Sequence, residues 1–342
     1  MHICDFCCIF AAANGNGRIA LLLMNTFGTN WTFTSFGESH GRAIGGVLDG
    51  VPSGITIDLD LIRQELDRRA GRNLNETLSR LHRGFNGVSS RAQHEPDGVE
   101  WLSGVIELTN EGVNELTTLG TPIAFIIRNK DARPEDYEWL KNNYRVGHAD
   151  KTYEQKYGIR DWRGGGRASA RETAGRVVAG CIAKQVLRAK GIQIHASLVQ
   201  VGAETGPSKF AETIAAYQKD GDSIGGIVEC RITGLPAGTG EPIFNKLQAE
   251  LAFAIMSINA CKGFEYGTGF GGVAQPGSQI NHISGGIAGG ISDGSEVVFR
   301  CVFKPTPSTP KAGVKGRHDA CVATRAVPVV EAMTALTLVN LI

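Results

Sequence analysis

The stretch that most constrains this chain is a polar cluster, bounded by glycines, that runs directly into an apolar and glycine-rich segment. Residues 36–41 read Phe-Gly-Glu-Ser-His-Gly, and residues 43–52 read Ala-Ile-Gly-Gly-Val-Leu-Asp-Gly-Val-Pro. The second segment predicts a buried strand, while the glycines of the first permit a turn or the close approach of a ligand. Loops held by such a scaffold often carry reactive groups. We therefore expect Ser39 and His40 to be functional, although His40 alone would fit an ordinary hydrogen-bond network equally well.

Three later blocks each combine glycine, a guanidinium and a group that can transfer a proton. Residues 144–150 read Tyr-Arg-Val-Gly-His-Ala-Asp, and residues 315–321 read Lys-Gly-Arg-His-Asp-Ala-Cys. Residues 160–173 read Arg-Asp-Trp-Arg-Gly-Gly-Gly-Arg-Ala-Ser-Ala-Arg-Glu-Thr. Guanidinium groups bind phosphates and carboxylates, and histidine or aspartate moves protons. The pattern predicts a polyanionic ligand on which protons are moved.

These blocks, in this order, resemble the chorismate synthase family. The matching motifs are Gly-Glu-Ser-His-Gly, Gly-His-Ala-Asp with Tyr-Glu-Gln-Lys-Tyr-Gly, Arg-Gly-Gly-Gly-Arg-x-Ser-Ala-Arg-Glu, and Gly-Arg-His-Asp. Shorter matches lie at residues 256–260, 285–292 and 303–308. So many ordered motifs are far more specific than any single one. The resemblance predicts a catalytic domain over residues 24–342 and leaves residues 1–23 as an extension outside the family pattern.

Charge and cysteine usage exclude several other classes of protein. A formal net charge of +1 over 342 residues provides no basic surface of the kind that non-specific nucleic-acid binding requires. The eight cysteines show neither a paired framework nor a metal-ligand spacing, apart from Cys4-x-x-Cys7-Cys8, which has no companion pair. We expect reduced thiols, no metal and a cytoplasmic location.

The first 23 residues contain two short apolar runs, at residues 9–13 and 19–23. Neither approaches the roughly 20 residues needed to span a bilayer, so we expect no membrane association. The segment has one arginine and no serine, which is not typical of an organellar transit peptide. A disordered extension or a mis-assigned upstream start is the preferred interpretation, and a plastid leader is the weaker alternative.

Hydrophobic periodicity predicts alternating helices and strands along the body of the chain. Helices are expected at residues 60–69 (with Asp58 or Asp60 as cap), 169–189, 242–258 and 328–339. Strands are expected at residues 98–106, 121–128, 192–202 and 225–234, with a loop-rich stretch at 204–222. Residues 263–294 are too rich in glycine for a helix and are expected to contain strand–loop connections over a ligand. The arginine-rich start of the helix at residue 169 would offer N–H groups to phosphate. Simple capping with surface charge is the alternative.

The family resemblance implies an α+β fold, a single-domain sandwich of antiparallel β-sheets around helices, assembled as a homotetramer. It also implies a lyase of the shikimate pathway that converts 5-enolpyruvylshikimate 3-phosphate into chorismate by 1,4-elimination of phosphate. The family uses reduced FMN (FMNH2) with no net redox change. Two alternatives stay open: a bifunctional enzyme that also reduces flavin with NADPH, and a catalytically impaired relative that binds FMN or phosphoanions.

The resemblance assigns roles to individual residues. His148 would protonate the leaving phosphate, His40 would stand beside flavin N1, and Asp319 would accept a proton near flavin N5. Ser39 and Ser169 would relay protons or bind substrate. The substrate-binding residues implied are Arg69, Arg145, Arg171 and Arg317. The flavin-binding residues implied are Arg167, Ala168, Ser169, Asn259, Ala260, Gly289, Lys304, Pro305, Thr306, Pro307, Ser308 and Arg317.

Three loops depart from the family pattern. Residues 70–94 form a longer segment than usual, in which Arg72, Arg83 and Arg91 compete for a further substrate-binding position. Residues 272–278 and 310–315 look shorter than their family counterparts. Trimmed lids would expose a reduced flavin to water and oxygen, which is why the impaired relative remains an alternative.

Overall fold

The computed structural model describes residues 25–71, 98–110, 113–130, 132–278, 284–314 and 319–342. The strands are β1 (Thr26–Phe27), β2 (Thr32–Phe36), β3 (Ala43–Asp49), β4 (Thr56–Ile57), β5 (Val99–Ser103), β6 (Val105–Asn110), β7 (Val113–Thr118), β8 (Ile123–Arg128), β9 (Gln193–Val201), β10 (Gly226–Thr233), β11 (Cys261–Tyr266), β12 (Ile287–Ala288), β13 (Ile291–Ser292) and β14 (Val297–Phe303). The α-helices are α1 (Leu59–Ala70), α2 (Asp150–Tyr157), α3 (Thr173–Ala189), α4 (Phe210–Lys219), α5 (Leu247–Met256) and α6 (Ala323–Leu338). Short 3₁₀ helices lie at Pro134–Lys141, Gly166–Ala168, Ala170–Glu172, Pro207–Lys209 and Gly269–Ala274.

Antiparallel pairing gathers these strands into two main sheets. One sheet has the order β1-β2-β3-β8-β5, and the other has the order β11-β14-β10-β9. In the first, Gly45 of β3 pairs with Phe36 on one side and Ile126 on the other, so the polar loop of residues 37–41 connects two paired strands. A smaller sheet, β4-β7-β6, and the β12-β13 hairpin complete the described pairings.

Two helices fill the space between the main sheets. Helix α3 packs on β2 and β3, helix α6 packs on β9 and β10, and the two helices pack on each other. Gly180 permits this close approach, because a Cβ there would lie 2.3 Å from the Cβ of Ala332. The layers confirm the predicted α+β sandwich of antiparallel sheets around helices. Within the described ranges, no helix is long and apolar enough to cross a membrane.

Helix α1 joins this core through buried charges. Asp58, one of the two caps that the sequence allowed, caps the helix by accepting from the Leu61 N–H at 2.8 Å. On its buried side, Arg68 Nη1 lies 2.7 Å from Glu65 and 3.0 Å from Glu331. Lys184 of α3 lies 2.6 Å from Glu331 of α6. This four-charge cluster (Glu65, Arg68, Lys184 and Glu331) ties three helices together and fixes the end of α1 where Arg69 lies.

Two predicted helix starts are wrong. The helix expected from residue 169 begins at Thr173, because Ser169 is extended and its hydroxyl accepts from the Arg171 N–H at 3.3 Å, which closes a 3₁₀ turn first. The closing helix, expected from Pro328, begins at Ala323, so the proline lies inside it.

Two further element predictions need correction. Residues 204–222, expected as loop, contain helix α4, where Phe210 and Ile214 are buried one turn apart on one face. The helix expected at residues 242–258 is shorter, because the chain before α5 is irregular and Asn245 has a φ of +57°. The 3₁₀ helix at Pro134–Lys141 and helix α2 were not predicted at all.

Candidate active site

The centre of the site is a glycine-rich turn, residues 164–173, which we call the hub turn. Its first three residues have positive φ, with Gly164 at +61°, Gly165 at +85° and Gly166 at +52°. Glycine adopts this left-handed conformation without the strain that a side chain causes. The first three residues of the hub turn therefore carry no side chains, and other segments can pack directly on their backbone.

Both predicted histidines pack on adjacent glycines of this turn. A Cβ built on Gly164 would lie 2.1 Å from His40 Nδ1, and one built on Gly165 would lie 2.6 Å from His148 Cε1. The loop that carries His40 is also tied to the hub turn, because the Ser39 N–H donates to the Gly166 carbonyl at 3.3 Å. The structure thus brings together Ser39, His40 and His148 from distant parts of the sequence.

His148 is oriented by a buried ion pair. Its Nδ1 lies 2.9 Å from Asp150 Oδ1, and Arg145 donates to both oxygens of the same carboxylate at 2.8 Å. Burial alone would raise the pKa of Asp150, but the hydrogen bonds from Arg145 and His148 hold it well below its usual range. The ionised Asp150 carboxylate accepts a hydrogen bond from the N–H at Nδ1, which leaves Nε2 as the atom that can give a proton to a ligand or take one from it.

Asn129 connects the loop of residues 38–41 to a predicted substrate-binding arginine. Its side-chain amide donates to the carbonyls of Glu38 and Gly41, each at 3.0 Å. Its amide oxygen accepts from Arg171 Nε, also at 3.0 Å. Asn129 therefore sets the distance between the Ser39–His40 pair and Arg171.

Arg167 and Ser169 hold the hub turn in place. The Arg167 guanidinium donates to the Gly37 carbonyl at 3.0 Å and to the Ser35 hydroxyl at 2.8 Å. Ser169 caps the following 3₁₀ turn through its hydroxyl. Both contacts are internal to the protein, so a flavin or substrate contact by either residue stays a prediction.

Arg69 contacts the other end of the hub turn, and Asp319 is connected to Arg69 through a second arginine. Arg69 is 2% exposed and donates to the Thr173 hydroxyl at 2.8 Å and to the Ala170 carbonyl at 2.6 Å. Arg325 donates to both carboxylate oxygens of Asp319, at 2.9 and 2.7 Å. It also donates to the Arg69 carbonyl at 2.9 Å. Arg325 therefore links Asp319 to Arg69.

The predicted flavin-binding segments meet on a third side. The Asn259 amide donates to the Ala168 carbonyl at 3.2 Å, and the Ala260 carbonyl accepts from the Lys304 N–H at 3.0 Å. Pro307 lies against Gly147, since a Cβ on that glycine would be 3.2 Å from the proline Cβ. The loop of residues 304–308 thus lies beside both Asn259–Ala260 and the segment that carries His148.

Two features of this side suit a flavin. The amide oxygen of Asn259 is buried and has no hydrogen-bond partner among the described residues, so it can accept from a ligand N–H or O–H. Burial and the charge of the nearby Lys262 lower the pKa of Lys304, and a phosphate bound beside the two lysines would offset this repulsion. The residues present therefore fit a flavin carrying a phosphate group.

Other predicted residues are not brought into this cluster. Gly289 lies in the β12–β13 turn, and the carbonyl of the next residue, Gly290, accepts from the first residue of α5. The ten residues of α5, about 15 Å, separate that turn from Asn259. Arg317 and the competing Arg72, Arg83 and Arg91 lie outside the described residues.

Sequence reasoning missed several residues of the site. Asp150 follows His148 by two positions within a recognised motif, so its role could have been anticipated. Tyr137, whose ring lies 4.8 Å edge-on from that of His40, carries no local signal. Asn129 and Arg325 carry none either, because their partners are distant in sequence.

Comparison with known proteins identifies the family of this chain. The chorismate synthase family model matches residues 31–342. This chain belongs to the chorismate synthase family. The chorismate synthase of Phocaeicola vulgatus is 44% identical, over 93% of this chain and 97% of the relative. That of Christiangramia forsetii is 43% identical, over 92% and 96%. A chorismate synthase crystal structure matches with a TM-score of 0.69 and 28% identity, over 92% of each chain.

These chorismate synthase matches confirm the predicted family and fold. The alignment with the P. vulgatus relative spans 371 positions, more than the 342 residues of this chain, so that relative has segments without a counterpart here. The family model begins at residue 31, and the predicted domain boundary at residue 24 stays a prediction.

Proposed function

We propose that this chain converts 5-enolpyruvylshikimate 3-phosphate into chorismate by 1,4-elimination of phosphate, using reduced FMN and with no net redox change. It is a carbon–oxygen lyase acting on a phosphate, in the shikimate pathway of aromatic amino-acid biosynthesis. Family membership supports the reaction. The observation that carries the assignment to this site is the packing of His40 and His148 on adjacent glycines of the hub turn.

FMN would be held by the segments that meet around Asn259. Asn259 and Ala260 line one side, residues 304–308 provide a cation and hydroxyl groups, and Arg167, Ala168 and Ser169 adjoin them through the Asn259–Ala168 hydrogen bond. The family resemblance adds Gly289 and Arg317 to the proposed set, although Gly289 lies at the opposite end of α5 from Asn259 and Arg317 lies outside the described residues. Bound by these residues, reduced FMN would supply the transient electron that makes loss of phosphate feasible without a strong base.

His148 is the proposed general acid toward the departing phosphate. Asp150 accepts from Nδ1, so Nε2 is the atom that donates a proton to the phosphate oxygen. Arg145, Arg69, Arg171 and Arg317 are the proposed partners of the phosphate and carboxylate groups. Their guanidinium groups neutralise charge as phosphate leaves and orient the substrate through paired hydrogen bonds.

The other proposed proton-transferring groups are connected to the same turn, Asp319 only indirectly through Arg325 and Arg69. His40 is the proposed partner of flavin N1, and Asp319 the proposed acceptor of the proton at flavin N5. Ser39, which is 4% exposed, and Ser169 are the proposed relays between these groups and the substrate. The loop that carries Ser39 and His40 is held on the hub turn by the Ser39 N–H bond to the Gly166 carbonyl, which fixes the backbone positions of both residues.

An anaerobic assay tests this proposal. Chemically reduced FMN and 5-enolpyruvylshikimate 3-phosphate are mixed with the protein, and chorismate absorbance and phosphate release are followed together. Equal amounts of both products support the function. If the folded protein binds FMN but forms neither product, the impaired relative is the correct interpretation.

The electron source, assembly and location are further proposals. NADPH is a candidate reductant, and its consumption by the protein with FMN but without substrate would identify a bifunctional enzyme. A homotetramer is the proposed assembly, which light scattering on the purified protein measures directly. A cytoplasmic location is proposed from the reduced cysteines, which are free at the five described positions.

A further inference from the structure

One guanidinium connects Asp319 to the end of helix α1. Arg325 Nη1 donates to both carboxylate oxygens of Asp319, at 2.9 and 2.7 Å, and its Nε donates to the Arg69 carbonyl at 2.9 Å. The Arg325 and Asp319 side chains are only 16% and 21% exposed. Because both oxygens of Asp319 accept from Arg325, and Arg325 is itself held by the Arg69 carbonyl, the Asp319 carboxylate is kept in one orientation.

The location of Arg325 is unfavourable for its own helix. It is the third residue of α6, whose first turn contains no acidic residue. The N-terminus of a helix carries a partial positive charge, so a cation in the first turn is destabilising unless another group compensates it. Positions that break such local rules are often functional. Asp319 lies just before α6 and supplies the compensating charge.

The second contact of Arg325 is made to a group that needs a donor. The Arg69 carbonyl belongs to the last turn of α1, where carbonyls have no partner within the helix. The Arg69 side chain in turn donates to Thr173 and Ala170 of the hub turn. Arg325 therefore couples the position of Asp319 to that of Arg69.

We infer that Arg325 is a positioning residue, which aims the Asp319 carboxylate and keeps it in register with the substrate-binding Arg69. This inference rests on the proposed function, since it assumes that Asp319 accepts a proton during the reaction. Arg325 itself need not touch substrate or flavin. Its effect is to fix the rotamer of Asp319, because a proton acceptor that is misplaced by about 1 Å loses much of its rate contribution.

Removal of the guanidinium tests the inference with reduced FMN. We expect Arg325→Ala to lower kcat by about 10²-fold while KM changes by less than about threefold, because the loss concerns geometry of the proton transfer rather than substrate binding. Added guanidinium ion at sub-denaturing concentration should restore part of kcat in Arg325→Ala. It should restore none in Asp319→Asn or in the double variant.

Matched controls separate this role from simple support of α1. Asp58→Ala removes the N-cap at the far end of the same helix without touching Asp319. We expect Asp58→Ala to destabilise the protein and keep kcat. Arg231→Ala removes an exposed, paired arginine on a distant strand and should show no response to guanidinium ion.

A flavin-free measurement tests the pair itself. The melting temperatures of wild type, Asp319→Asn, Arg325→Gln and the double variant form a thermodynamic cycle. We expect the double variant to lose less than the sum of the single losses. A strictly additive cycle, unchanged kcat in Arg325→Ala, or equal loss of kcat in Asp58→Ala would each overturn the inference. Failure of wild type to form chorismate would instead overturn the proposed function and leave the cycle to be judged separately.

Discussion

His148 packs directly on Gly165, and no residue larger than glycine fits at position 165. A Cβ at this position would lie 2.6 Å from the imidazole Cε1 and 2.7 Å from Arg145 Nη2. Gly164 has the same relationship to His40. The placement of both imidazoles therefore depends on the absence of side chains at Gly164 and Gly165.

Gly165→Ala should consequently abolish most activity. The added methyl group would push His148 and Arg145 away, and misplacement of a catalytic group by about 1 Å can cost about 10²-fold in kcat. Gly191→Ala is the matched control, because its φ of +81° is close to the +85° of Gly165 and nothing lies within 4 Å of its added Cβ. Steady-state kinetics on both variants decide the point. Equal activity in the two would contradict the proposed packing.

Asp150→Asn should lower kcat by about 10²- to 10⁴-fold, the range of a general-acid contribution. The amide cannot stabilise the imidazolium form of His148, and Arg145 loses a charged partner. KM for the substrate should rise as well, because Arg145 is freed to move. Asp220→Asn, at an exposed ion pair, is the control. A variant with wild-type kcat would show that His148 does not depend on this carboxylate.

Asn129→Ala should lower activity without loss of FMN affinity. The substitution removes two donors to the Glu38–Gly41 loop and the acceptor for Arg171, so Ser39 and His40 lose their fixed distance from that arginine. We expect a fall in kcat of about 10-fold or more. Asn143→Ala, whose side chain donates to one exposed carbonyl, should be neutral. Similar kinetics for the two variants would refute the connecting role.

The four-charge cluster predicts a dependence of stability on pH. Burial by itself raises the pKa of Glu331, but the Arg68 hydrogen bond and the charge of Lys184 hold it below its ordinary value. Its stabilisation is therefore complete above the unfolded pKa of about 4.3 and is lost as pH falls through the lower folded pKa.

Glu331→Gln should accordingly lower the free energy of unfolding by about 3–5 kcal/mol at pH 7, since it leaves buried cations without their full partner. Urea denaturation from pH 7 to pH 3 should show the difference from wild type shrinking below about pH 4.3. Glu296→Gln, at an exposed pair with Arg231, should cost less than about 1 kcal/mol. A constant difference between Glu331→Gln and wild type at all pH values would contradict the linkage.

Cys261 should be the first of the five described cysteines to react with iodoacetamide. Cys261 is the most exposed of the five, at 8%, and a hydrogen bond with Cys301 lowers its pKa against the opposing effect of burial. Burial raises the pKa of Cys181, Cys230 and Cys321 instead. Peptide mass spectrometry after brief labelling at pH 7 measures the order, and Cys261→Ser should remove the fast signal. Faster labelling of Cys321 than of Cys261 would contradict the predicted order.

Local patterns predicted the scaffold better than the contacts within the site. The strand after residue 43 and the helix capped by Asp58 follow from short-range periodicity and side-chain capping, and both are present. Ser169, in contrast, reads as part of a helix but forms its own capped turn, because its hydroxyl competes for the Arg171 N–H. Pro328 reads as a helix start but is accommodated within α6.

The site residues were recognisable from motifs, but their partners were not. His40, His148 and the hub turn belong to recurring blocks of glycine, arginine and histidine. Asn129 and Arg325 fix the positions of those blocks relative to one another, and each does so through contacts with residues distant in sequence. A sequence pattern with a period of a few residues carries no information about such contacts.

The most direct test of the central claim is a count of turnovers per flavin under strict anaerobiosis. A small amount of FMN, chemically reduced and then freed of reductant, is mixed with the protein and excess 5-enolpyruvylshikimate 3-phosphate. We predict many molecules of chorismate per flavin, matched by released phosphate, with the flavin still reduced at the end. Product formation that stops at one equivalent while the flavin becomes oxidised would contradict an elimination without net redox change.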